Sequence, residues 1–172
     1  MSKPTIRLRA VEFEDADRIM KWENDWQEWQ HSGTLIPFSR YQIEQYVLGA
    51  SADFWTVRQL RLMIETTKGE TVGAIDLFEG DPVNRRAGIG ITISRAHRRR
   101  GFAFEALNTM AQLAFDRLNL HQLWCNIAID NKSSKGLFDK AGYQVAGQRK
   151  DWLLYDGCFH DVVFMQLINP NH

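Results

Sequence analysis

Residues 87–118 read AGIGITISRAHRRRGFAFEALNTMAQLAFDRL, and the way this stretch divides decides the fold. Ile89, Ile91 and Ile93 alternate with Gly88, Gly90 and Thr92. That is the two-residue period of a strand with one branched apolar face and one nearly bare face. A bare strand face admits a close neighbour. From Phe102 onward the period lengthens: Ala103, Ala106, Leu107, Met110, Leu113, Ala114 and Leu118 fall at helical spacing. Between the two periods stands Arg98-Arg99-Arg100-Gly101, so a glycine sits where a helix begins. The first amides of a helix have no carbonyl partner and lie at the positive end of its dipole. Ringed by arginines, they form a candidate anion site.

The flanking sequence extends the pattern. On the amino-terminal side, residues 61–66 and 71–78 alternate as strands about Lys68-Gly69-Glu70, a hairpin turn, and Glu79-Gly80-Asp81-Pro82 reads as the next turn. Residues 5–10 form an opening strand, with a helix from Glu14 through Trp22 after it. Ser39 is placed to cap a helix running through Tyr46 and Leu48, with Gly49 closing it. Between these helices Trp22, Trp26 and Trp29 can share a helical face, and Gly33 and Pro37 interrupt the helical pattern beyond them. These aromatics either pack a helix onto the core or wall a substrate pocket, with Glu23, Asp25 and Glu28 available to attract a cation. On the carboxyl-terminal side, residues 122–129 return as a strand parallel to the one before the long helix. Asp130 or Asn131 caps a short helix through Lys140, with Gly142 at its end. Strands at residues 143–154 and 158–167 complete the chain, joined at Tyr155-Asp156-Gly157.

Composition narrows the function. A chain of 172 residues without repeats reads as one domain, residues 1–172, large enough to bury a core without metal or disulfide. Its 21 Lys+Arg offset its 21 Asp+Glu, so no global field draws it to nucleic acid or anionic lipid. No apolar run approaches a membrane span and the first residues lack a signal-peptide core, which makes the cytoplasm the default expectation. Cys125 and Cys158 show no paired spacing and are expected as free, buried thiols. The five histidines lack ligand spacing, so no metal is expected.

The run Arg98-x-x-Gly101-x-Ala103 after a strand resembles the acyl-coenzyme A pyrophosphate loop of the GNAT N-acetyltransferase superfamily. Some thirty residues later, the stretch from Asn131 through Ser134, Leu137 and Phe138 to Gly142-Tyr143 is similar to that family's second signature. The resemblance implies an α/β (α+β) GNAT acyl-CoA N-acyltransferase fold: a mixed central sheet of about seven strands, about four helices, and a splayed pair of parallel strands. It implies acetyl-coenzyme A as co-substrate, its diphosphate on residues Arg98, Arg99, Arg100, Gly101, Phe102 and Ala103, with Arg98 at the motif's first position and Arg99 and Arg100 at variable ones that face either the ribose phosphate or only solvent. The pantetheine arm would lie along Ile91, Thr92 and Ile93, touch Asn131 and Ser134, and pack on Phe138. Gly88 and Gly90 fit its approach, and an amide near Ile91 would face the oxyanion.

The opening TIRLRA, the central RRAGIGITIS and the closing DGCFHDVVFMQL look most like the ribosomal-protein and polyamine acetyltransferase branch. The implied reaction is direct attack by a primary amine, on a small molecule, a polyamine or a protein N-terminus, within a ternary complex. A non-catalytic coenzyme A-binding domain is the rival. Three departures bear on the choice. Gly88 stands where a glutamate is common, Thr34-Leu35-Ile36-Pro37-Phe38 replaces an acidic stretch of spermidine enzymes, and Phe138 replaces a tyrosine that protonates the leaving thiolate. Phenylalanine has no proton to give. Asp76 and Glu79, on the strand next to the cofactor strand, are the nearest acids to take the amine proton, or else charges on a solvated face. Edge strands at the carboxyl end point to a homodimer.

Overall fold

A computed structural model describes residues 4–29, 34–50 and 52–171; the break expected at Gly33 lies outside them. The described elements are β1 (Ile6–Ala10), α1 (Ala16–Glu23), α2 (Arg40–Gly49), α3 (Phe54–Val57), β2 (Leu60–Thr66), β3 (Thr71–Asp81), β4 (Arg86–Ile93), α4 (Phe102–Asp116), β5 (Gln122–Ala128), α5 (Lys132–Lys140), β6 (Gln144–Tyr155) and β7 (Cys158–Ile168). Short 3-10 turns precede α1 at Phe13–Asp15 and α4 at Arg95–His97. The strands form one sheet in the order β1-β2-β3-β4-β5-β7-β6, antiparallel except for the β4–β5 pair. None of the described helices is long and apolar enough to cross a membrane.

Local chemistry sets the boundaries. Ser39 caps α2 reciprocally with Gln42: the Gln42 amide donates to Ser39 Oγ at 3.2 Å and the Ser39 amide donates to Gln42 Oε1 at 2.8 Å. Asn131 caps α5 by accepting the Ser134 amide at 3.1 Å. The alternation of β3 sends Ile75 and Leu77 to one face and Ala74, Asp76 and Phe78 to the other. The first face is the main core, where α4 lays Ala106, Leu107, Met110 and Ala114 against Ile75, Leu77, Ile89, Leu123 and Met165. On the other face a second core joins Ile19 of α1, Ile43 and Val47 of α2, and Met63 and Ala74 of the sheet.

Three sequence expectations are corrected. The turn placed at Glu79-Gly80-Asp81-Pro82 is partly strand: β3 runs on to Asp81 through an irregularity at Glu79, whose φ is 50°. Trp26, offered as a core-packing residue, is 74% exposed. Cys158 is exposed rather than buried, because it opens a strand at the hairpin tip; Cys125 is buried, and burial pushes its thiol up to about 12.

Asp15 ties the first strand to the first helix. Its buried carboxylate accepts from Arg9 at 2.6 and 2.9 Å, from Arg18 at 2.8 Å and from the Glu12 amide at 3.0 Å. Burial pushes this acid up, but the Arg9 hydrogen bonds, the Glu12 amide and the Arg18 charge outweigh it and hold the carboxyl below its usual 3.8. A carboxyl lowered in the folded state contributes stability that is present above its unfolded pKa and lost as pH falls through its folded one. Asp15→Ala is therefore expected to cost about 1–3 kcal/mol in urea unfolding at neutral pH, because half-buried Arg9 loses one of its two carboxylates while keeping Glu65, and the Glu12 amide and Arg18 lose their acceptor. The variant's stability should lose part of the decline seen below about pH 4 in the parent; an unchanged midpoint at neutral pH would refute it.

Candidate active site

The parallel pair β4–β5 is zipped for only three positions, Arg86 with Gln122, Ala87 with Leu123 and Gly88 with Trp124. Beyond them the strands part, so residues 89–93 and 125–128 face each other without ladder pairs. β4 keeps its pairs to β3 and β5 keeps its pairs to β7, so the gap opens on one side of each strand only. Main-chain donors and acceptors in such a gap need a partner, and an extended ligand with amides of its own supplies one. Ile91 is half-buried, Thr92 exposed and Ile93 buried along this edge.

The gap leads to the glycine loop. Arg99 and Gly101 take left-handed φ values of 60° and 86°, and Gly101 is the N-cap of α4. Only glycine adopts its conformation without strain, and an added Cβ would also meet the Pro4 ring at 3.2 Å. Phe102 is buried as the first residue of α4 and Ala103 half-buried behind it, which anchors the helix with its first amides toward the loop. Arg98 donates to the Ile93 carbonyl at 3.0 Å and pairs with Glu28 at 2.9 Å. Arg100 lies 5.2 Å over the Phe102 ring, and Arg99 is exposed. Asn131 and Ser134 meet each other at the start of α5, across the gap from the arginine loop. The unpaired slot and the loop at its end fit the elongated, diphosphate-bearing thioester that the sequence resemblance implies.

Two residues expected beside the cofactor arm also have neighbours within the protein. The bare face of Gly88 is filled from within: a Cβ there would come within 2.2 Å of the Phe78 ring, and at Gly90 the same ring lies at 3.6 Å. The missing side chain of Gly88 makes room for an aromatic neighbour from β3, while Gly90 leaves that ring at ordinary contact distance. Phe138, expected along that arm, is buried in the main core, edge-on to Tyr143 with ring centroids 4.9 Å apart. Among the described residues the Tyr143 hydroxyl is buried without a hydrogen-bond partner, and burial pushes its pKa far above the ordinary tyrosine value.

On the sheet face that carries α1 and α2, Asp76 lies directly across from Gly90, one strand from the gap. Arg61 binds it through Nε at 2.5 Å and a second nitrogen at 3.2 Å, and also holds Glu23 at 2.7 Å. Two carboxylates thus share one guanidinium, which also sits 5.2 Å over the Tyr46 ring. Burial pushes the Asp76 carboxyl above its ordinary value against the pull of Arg61. Glu79 is exposed at the irregular end of β3. From Phe78 the face continues as an aromatic row: Phe78 to Trp124 at 5.3 Å, then Trp124 to Phe164 at 5.9 Å.

Across the open end of the gap lies a cavity of about 450 Å³, lined by Trp26, Trp29, Leu35, Leu153, Leu154 and Tyr155 among others. One wall is tethered after β4, where Arg95 binds Asp25 at 3.0 Å and Glu28 at 3.2 Å. The other is tethered after β5, where Tyr155 donates to Asp130 at 2.6 Å while stacking on His160 at 3.6 Å. The pocket-wall alternative for Trp26 and Trp29 is the one this geometry takes up. Sequence reasoning missed Arg61, Phe78, Trp124 and Tyr155. The alternation of β3 and β5 was the available signal, since it sends Asp76, Phe78 and Trp124 to the face opposite the core.

A family profile described as an acetyltransferase (GNAT) domain matches residues 5–144. Putative ribosomal N-acetyltransferase YdaF of Bacillus subtilis (strain 168) is 30% identical over 170 residues, an alignment covering 96% of this chain and 86% of the relative. Spermidine N(1)-acetyltransferase of Vibrio cholerae serotype O1 is 25% identical over 112 residues, 65% of each chain. The crystal structure of spermidine N-acetyltransferase from Vibrio cholerae in complex with CoA and spermine superposes with a TM-score of 0.87 over 95% of both chains, at 23% identity.

Proposed function

The chain belongs to the GNAT acetyltransferase family and is an acetyl-coenzyme A-dependent N-acetyltransferase; from that premise we propose that its acceptor is the α-amine of a peptide or protein rather than a free polyamine. The observation that carries this reading is the state of the acids around the cleft. Glu23 and Asp76 are bound by Arg61, Asp25 by Arg95, and Glu28 by Arg95 and Arg98. Among the described residues the cavity at the mouth is walled mainly by tryptophan, leucine and tyrosine, with Asp156 its single carboxylate. A polycation needs several uncommitted carboxylates, whereas an apolar wall suits the side chains next to an α-amine.

Titration supports the same choice. A polyamine-like amine with a pKa near 10.4 is neutral in only about one molecule in 2,500 at pH 7, while an α-amine near 7.8 is neutral in roughly one in seven. A site whose one placed acid is already paired to arginine suits the second demand better. In this reading the unpaired edge of Ile91, Thr92 and Ile93 holds the cofactor arm, with Asn131 and Ser134 across from it. Residues Arg98 to Ala103 hold the diphosphate with main-chain amides and guanidinium groups. Acetyl-coenzyme A supplies the thioester carbonyl; a backbone amide beside Ile91 faces its oxygen. Asp76, oriented by Arg61, receives the amine proton directly or through one water. Phe138 leaves the departing thiolate without a side-chain proton donor, which a thiol of pKa near 8.5 tolerates.

The test is thiol release from acetyl-coenzyme A with a panel of short peptides beside spermidine and spermine. Peptides with free α-amines should be turned over, with kcat/KM rising with pH and levelling above about pH 8, where an α-amine is mostly neutral. Preferential turnover of spermidine, still climbing toward about pH 10, would reverse the assignment of acceptor. Thiol release with neither would place the acceptor outside both classes of amine.

A further inference from the structure

The aromatic row that starts at Phe78 ends on a cation. Arg149 stands opposite Val162 in the β6–β7 ladder, and its guanidinium carbon lies 5.2 Å from the Phe164 ring centroid and 4.7 Å from that of Trp152. The row Phe78, Trp124, Phe164, Arg149 therefore runs from β3, past the zipped end of the gap, to the far strand. Its neighbour Lys150 is bound to Asp161 at 2.7 Å, and Asp161 is further occupied by Gln148 and the Asp151 amide. Arg149 has no ion-pair partner among the described residues. The two rings hold the guanidinium carbon in place, and a guanidinium so held carries the donors that bind a carboxylate in two-pronged fashion. It is half-buried, so its charge is screened less than that of a surface arginine.

Position gives this cation a meaning. The Phe164 ring belongs to β7, the strand next to β5, and strands lie about 4.8 Å apart. The guanidinium above that ring is thus on the order of 10 Å from the middle of the gap, counting two such steps. An extended peptide advances about 3.3 Å per residue, so a chain whose α-amine sits beside Gly90 brings its second to fourth residues to this distance. We infer that Arg149 is a specificity-determining residue that binds an acidic side chain on the second to fourth residue of the acceptor peptide. This rests on the peptide α-amine reading and adds a charge preference to it.

Pentapeptides carrying one glutamate, walked from the second position to the fifth, are compared with glutamine controls by kcat/KM. At one of the second to fourth positions glutamate should raise kcat/KM about tenfold, chiefly through KM, the low end for a charge-assisted hydrogen bond. In Arg149→Met, which keeps an apolar stem against the rings, the ratio should fall to about one, and in Arg149→Glu a lysine peptide should become the better acceptor. Raising salt from about 0.05 to about 0.5 M should shrink the ratio in the unaltered protein, a readout that needs no variant to fold. A glutamate-to-glutamine ratio near one at every position, or the same ratio in the parent and Arg149→Met, overturns the role of Arg149 while leaving the peptide reading intact. Acetylation of spermidine with no peptide turned over overturns both.

Discussion

Gly101→Glu is expected to lower affinity for acetyl-coenzyme A at least a hundredfold, read by isothermal titration. Three effects act together at this position. The backbone is held at φ 86°, which a residue with a Cβ adopts at a cost of about 1–2 kcal/mol. The new Cβ would press on the Pro4 ring at 3.2 Å. Above all, a carboxylate would stand at the positive end of α4, where the diphosphate is proposed to sit, and compete for the same amides. Gly101→Ala separates these contributions, since it adds the strain without the charge and should lose far less. Unchanged affinity in Gly101→Glu would place the diphosphate elsewhere.

Asp76→Asn is expected to lower kcat by about 10²–10⁴-fold, the usual worth of a positioned base, with cofactor affinity little altered because the side chain lies on the face away from α4. Asparagine keeps an oxygen for the shorter of the two Arg61 hydrogen bonds and loses the second, while the proton acceptor is removed. The parent's kcat/KM should fall on acidification as Asp76 protonates, above the ordinary carboxylate range, because burial raises it. The variant should keep the fall set by protonation of the α-amine and lack the additional, steeper fall that Asp76 brings. A change in kcat below about threefold would make Asp76 a structural partner of Arg61 and nothing more.

How much of the molecule could be read from the chain depends on whether the signal was local. The strand, glycine loop and helix of residues 87–118 declare themselves through neighbouring residues, as do the Ser39 and Asn131 caps and the Tyr155-Asp156-Gly157 hairpin. The parting of β4 and β5 came from family resemblance, and the three-residue pairing bears it out. Features that depend on register escaped. That Phe78 fills the face of Gly88 comes only from the antiparallel β3–β4 alignment, and that Arg61 meets Asp76 comes from a β2–β3 ladder with an irregularity beside Ile64. The one-turn helix α3, capped by Asp53, is too short to show a period. Glu79 looked like a turn residue because a bulge and a turn ask for the same left-handed backbone.

The slot between β4 and β5 is lined by peptide groups, which every amino acid except proline carries alike. Substitution along it can therefore proceed freely so long as the two ribbons diverge at the same place, and descent is recorded in the path of the chain more than in its letters. A chain that agrees with its Vibrio cholerae counterpart at 23% of positions yet superposes on it with a TM-score of 0.87 is what such a site permits. The aromatic and charged side chains of the facing surface are under no such freedom, because what they recognise depends on their own chemistry.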